Sequence, residues 1–242
     1  MDKFGIGAIV GALIIGIFFI SGVSQVNNTW LEVKSSDNAL AVTGSAKKTV
    51  TSDMAKWNAS FSRKVIEEEL KSGYAMMKND EALVIKYLKD NKVEDQEMTI
   101  SPVSMQKEYN YKDDAGPQEY TLMQTVTIQS SDIEKIKNLS KSSQVLINQG
   151  VIFFNNSPEF YYTKLPEARV DLLPEAMKDA QKRAESIAST TGKSVGSLKA
   201  ASVGVTQVLQ PNSTEVSDYG SYDLSTVEKE VMITVKASFT LK

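Results

Sequence analysis

The sequence predicts an α+β protein: two strand-helix-strand-strand units forming a mixed, mainly antiparallel sheet, with helices packed on one face and one N-terminal transmembrane helix before them. Three observations carry this reading. Residues 4–23, FGIGAIVGALIIGIFFISGV, have Ser21 as their only polar side chain. Beyond them, stretches that alternate apolar and polar residues, the period of a half-buried strand, are separated by stretches with apolar residues three and four apart, the period of a helix covering a core. That order of elements then occurs twice.

The apolar run comes first. At ~1.5 Å per residue, residues 4–23 as a helix cross a ~30 Å hydrocarbon core. A cleaved signal peptide is the alternative, but its apolar region is usually ~7–15 residues and ends in a small-residue cleavage site. SGVSQ, residues 21–25, offers only a poor one, so an uncleaved anchor is the better reading. Residues 1–3 are then a short cytoplasmic leader, 24–38 a polar tether and 39–242 the folded domain. Lys3 and Lys34 flank the span and give little charge asymmetry. A single span with most of the chain after it places the protein in the inner (cytoplasmic) membrane, its C-terminal domain in the periplasm or outside the cell.

In the first unit, MAKWNASFSRKV (54–65) alternates Trp57, Ala59 and Phe61 with polar neighbours and reads as a strand. Leu70, Tyr74, Met77, Val84 and Leu88 then repeat at helical spacing. Two extended runs follow, EMTISPVSMQKEY and QEYTLMQTVTIQS, around the turn-rich NYKDDAGP. Pro102 inside the first of them implies an edge position or a bulge. A bridging helix over 132–148, capped by Ser131 or Asp132, shows Ile133, Ile136, Leu139 and Leu146 on its apolar side and ends at Gly150.

The second unit opens with VIFFNNSPEFYYT, one bulged strand or a strand pair broken near Pro158. A long helix covers about 166–191, with Gly192 placed for a left-handed cap. SLKAASVGVTQVLQ and TVEKEVMITVKASFTL are again extended runs, and the last could sit centrally in a sheet or pair with another copy.

Composition excludes whole classes of chemistry. The chain has no cysteine and no histidine, which removes disulfides, thiolate and Ser-His-Asp catalysis, and most zinc sites. A net charge of −3 with both signs interspersed leaves no basic field for nucleic acid. No glycine-rich phosphate loop is present, because the glycines of GKSVG follow a helix instead of opening one. The expectation is a non-enzymatic protein without a cofactor or metal.

Ala176, Ala180, Ala184 and Ala188 stand four apart on the long helix. They form one narrow strip that lets a backbone approach closely, while Lys178, Lys182, Arg183 and Glu185 fall mostly on other faces. The pattern A-x3-A-x3-A-x2-IA-x3-GKSVGSL, together with LAVTGSAKKTVTSDMAKWNASFS upstream (40–62), resembles the SIMPL-domain family, which takes in YggE-like and bacterial periplasmic immunogenic proteins. Ser52-Asp53 stands where that family commonly has Pro-Asp. The resemblance covers roughly 39–242. It implies an exported α+β protein that often self-associates and is linked to envelope or oxidative-stress physiology. It brings no catalytic motif.

Two loops gather residues suited to an interaction surface: Tyr109, Tyr111, Asp113, Asp114 and Tyr120 in the first, and Tyr219, Tyr222 and Asp223 in the second. Tyrosine supplies contact area at small entropic cost, whereas solvated turns explain the acids equally well. The expected partners are the membrane, further copies of the chain and an envelope protein. An extracytoplasmic module that binds a ligand or protein through these loops is the alternative, and a carboxylate-only hydrolase a third.

Overall fold

The computed structural model describes residues 39–109, 117–215 and 217–242, so the expected leader, anchor and tether lie outside the described residues. Among those described, no helix is long and apolar enough to cross a membrane. The elements run β1 (Ala39–Thr51), β2 (Met54–Ile66), α1 (Leu70–Asp90), β3 (Met98–Ile100), β4 (Ser104–Lys107), β5 (Glu119–Ser130), α2 (Ile133–Ser142), α3 (Gln144–Asn148), β6 (Ile152–Asn155), β7 (Glu159–Tyr161), α4 (Leu165–Thr190), β8 (Val195–Val203), β9 (Gln207–Leu209), β10 (Ser221–Tyr222) and β11 (Glu228–Leu241). Among the described residues they form two compact units, one of residues 39–46, 171–205 and 233–242, the other within 47–170 and 206–232.

The larger unit holds a six-stranded sheet of order β3-β5-β2-β6, with β4 also on β5 and β7 also on β2. Every pairing in it is antiparallel. Alternation sends Trp57, Ala59 and Phe61 of β2 and Leu122, Val126 and Ile128 of β5 to one face, where all are fully buried. Met77, Val84 and Leu88 of α1 and Ile136, Leu139 and Leu146 of α2 and α3 cover them. Both helix layers therefore lie on one face, as the periodicity implies. Asp132 caps α2, its Oδ1 accepting from Lys135 N at 2.9 Å.

Three details differ from the sequence expectation. Tyr74 is 43% exposed because Gly73 takes the inward place: a Cβ there would stand 2.9 Å from Leu122 Cδ1 and Val65 Cγ1. The bridging helix is two helices, broken at Ser143. The broken strand pair β6/β7 does not open a second copy of the first unit. It adds to β2, where Phe153 and Phe160 enter the same core as Trp57.

Both edges of this sheet are interrupted by a proline, Pro102 between β3 and β4 and Pro158 between β6 and β7. Proline donates no hydrogen bond, and short broken strands at an edge resist pairing with another chain.

In the five-stranded sheet, β11 pairs with β1, and also with β8 and β9. The final run is thus a central strand. Val42, Ala237 and Phe239 pack with Ala180 and Ala184 of α4, and the whole alanine strip is buried. Gly192, at φ +68°, ends the helix in the left-handed region. The edge strand β8 carries a bulge: Ser238 faces Ala200 and Phe239 faces Leu198, leaving Lys199 without a partner across the ladder. Bulge and lysine both protect an edge.

The chain therefore builds two sheets where one was expected. The directions are mixed for a simple reason. β2 and β3, joined through α1, run parallel to each other but with antiparallel β5 between them. β9 and β10 give the one parallel pairing among the described registers.

Candidate functional site

The first loop disperses its candidates. Tyr111, Asp113 and Asp114 lie outside the described residues. Tyr109 follows β4 and is 77% exposed. Tyr120 lies within β5 opposite Val65 and is partly buried against the main core, so packing accounts for it.

The second loop gathers its own. Asp223 follows β10, and both its carboxylate oxygens are occupied. Oδ1 accepts from Ser225 N at 3.0 Å, Ser225 Oγ at 2.6 Å and Gln210 Nε2 at 3.4 Å; Oδ2 accepts from Thr226 N at 3.1 Å, from the Thr226 hydroxyl and from Lys229 Nζ at 3.2 Å. Burial pushes the Asp223 carboxyl up, but the bonds from Ser225, Thr226 and Lys229 outweigh it and hold the group well below the usual carboxylate range. Lys229 is fully buried. Its other donors go to Asp223 O at 2.5 Å and Thr226 O at 2.7 Å. Burial lowers the Lys229 ammonium and Asp223 opposes that shift.

Tyr222 joins this knot to β7. Its hydroxyl accepts from Tyr162 N at 2.9 Å, its ring lies 6.3 Å from that of Tyr161, and Lys229 Nζ stands 5.8 Å from its centroid. The Tyr161 hydroxyl donates to Glu159 at 2.6 Å. That bond, reinforced by burial, pushes the phenol up to about 12. Nearby, Asp53 accepts from both Thr163 N and Thr163 Oγ1 at 2.8 Å. Tyr219 stands apart at 96% exposure, in a turn closed by Gly220 N donating to Ser217 O.

Chemically this is a fastening. A carboxylate with six donors has no free lone pair for proton transfer, and an ammonium whose three donors are engaged is no nucleophile. Among the described residues, no group of three or more acidic side chains could hold a metal ion. Beside the knot lies an open polar hollow of about 520 Å³, lined among others by Gln210, Asn212, Glu215 and Ser221. Sequence reasoning did not single out Lys229 as part of the site. The signal was present in the alternation of β11, which sets Lys229 in one row with Val231, Ile233 and Val235.

Fold and cluster together define an α+β protein of mainly antiparallel sheets and covering helices whose acids and tyrosines fasten its loops. The chain belongs to the SIMPL family: the family's model, described as a protein of unknown function (DUF541), matches residues 40–239. Comparison with curated proteins returns no match.

Proposed function

We propose that this SIMPL-family chain is an exported, membrane-anchored module that acts by assembling with further copies of itself and performs no catalysis. Residues 4–23 are its single span, and residues 39–242 lie beyond the cytoplasmic membrane. One observation carries the preference for a scaffold over an enzyme. The charged residues that the fold buries outright among those described, Asp80 and Lys229, both hold the fold together. Asp80 accepts two bonds from Arg63, at 2.6 and 2.7 Å, and Arg63 in turn donates to Gly150 O. Family likeness supports the envelope as its setting.

Two measurements test this reading. Protease added outside the cytoplasmic membrane is expected to digest the domain, while the purified protein still begins near Met1. A mature terminus near Gln25 replaces the anchor by a cleaved signal. Sedimentation of the full chain in density-matched detergent, over a hundredfold range of concentration, is expected to show association. A monomer throughout overturns assembly and favours the ligand-binding reading, for which the polar hollow beside Asn212 is the observation in hand.

A further inference from the structure

The six-stranded sheet has one face under helices and one face open. On the open side, antiparallel register aligns Ile152 with Ser62 and Met123, and Phe154 with Ser60 and Thr125. Asn58, Thr127 and Thr99 form the next row. Phe154 is 53% exposed, Ile152 47% and Met123 38%. Three large apolar side chains thus stand together on an open sheet face whose other central positions are serine, threonine and asparagine. No charge lies among these central positions. Lys56 with Glu159 marks one end of the face and Lys64 with Glu119 the other.

We propose that this face is where two copies of the chain meet, sheet against sheet, around Phe154, Ile152 and Met123. The inference rests on the assembly reading above and assigns its surface. An interface core is poor in charge and rich in aromatics and methionine, with a polar or charged rim. The face has that anatomy.

Size supports a second copy as occupant. Two central strands of ~40 Å and two outer positions of ~30 Å, at ~4.8 Å spacing, give a face on the order of 700 Å², near the ~800 Å² that each partner contributes to a standard interface. Charge supports it too. A centre without charge suits an equally uncharged surface, and an isologous contact supplies one by meeting itself. Each end carries both signs, so either end can face the other without like-charge conflict. The edges are the poorer route, since Pro102, Pro158 and the Lys199 bulge blunt them.

The test uses the full chain in density-matched detergent. Phe154→Asp is expected to raise the dissociation constant at least tenfold, and Ile152→Lys to act in the same direction. Both side chains are exposed, so far-ultraviolet circular dichroism should stay at the wild-type value. Because the chain has no cysteine, a single Ser60→Cys is a clean probe. It is expected to cross-link through a bis-maleimide of ~10 Å reach, whereas Lys178→Cys on exposed α4 is not. If wild type associates but Phe154→Asp associates equally well and Ser60→Cys stays uncross-linked, the face is wrong and assembly stands. If wild type is monomeric throughout, both fall.

Discussion

Gly44 of β1 meets Ala180 of α4 backbone to backbone. A Cβ on Gly44 would stand 2.8 Å from Ala180 Cα and would overlap Ala180 N and the Ala176 carbonyl. The alanine strip exists for this approach, and it fixes how closely α4 can lie on the sheet of the smaller unit. Gly44→Ala and Ala180→Leu are each expected to cost roughly 1–3 kcal/mol by overpacking. Lys182→Ala should stay within about 0.5 kcal/mol, as exposed substitutions usually do. Urea melts of the three variants check this, and a reversed order would mean that the strip is not a packing contact.

Asp80 is almost wholly buried, whereas Arg63 keeps about a quarter of its side chain in water. Removing one partner of a buried pair typically costs about 3–5 kcal/mol. Since Arg63 can rehydrate in part, Asp80→Ala is expected near the lower end, about 3 kcal/mol. A cost under about 1 kcal/mol in equilibrium unfolding would show that the pair does not brace β2 against α1.

Acid should loosen the second loop. Asp223 is held below the usual carboxylate range, so its stabilising contribution is complete above the unfolded value of ~3.9 and is lost as pH falls through the lower folded value. Glu97 has the same sign: burial raises it, and the bonds from Lys135, Ser130 and Glu94 N outweigh that. Melting temperatures between pH 2 and 6 should therefore fall less steeply for Asp223→Asn than for wild type. Parallel curves would remove Asp223 from the account.

Glu159 sets the phenol of Tyr161. Its hydrogen bond is the main reason Tyr161 is pushed up to about 12, so Glu159→Gln should return it towards the ordinary ~10. Carbon-13 labelling of the tyrosine ring carbons, with Tyr161→Phe for assignment, reads this shift directly. An unchanged titration would show that the bond at 2.6 Å does not persist in solution.

Much of the fold was legible in the sequence because periodicity records local burial. Trp57, Ala59 and Phe61 announced β2, Met77, Val84 and Leu88 announced α1, and the four alanines announced a close helix contact. Each of these signals is written within one element, where neighbours in sequence share one environment. Pro102, Asp132 and Gly192 were readable for the same reason, since a strand break, a cap and a left-handed turn each need a particular residue at a particular place.

Tertiary structure decided the rest. Strand register and sheet membership depend on residues far apart in the chain, so nothing local told β6 and β7 to join β2, or split one expected sheet into two. The second loop depended on the same kind of long-range information. Asp223 and Tyr222 looked like an exposed contact surface, and only the fold brought Lys229, Tyr161 and Tyr162 to them and turned the pair into a fastening around the buried Lys229. A sequence shows which side chains seek burial or special backbone. Which distant partners satisfy them is settled by the one packing that pairs their hydrogen-bonding groups and excludes water together.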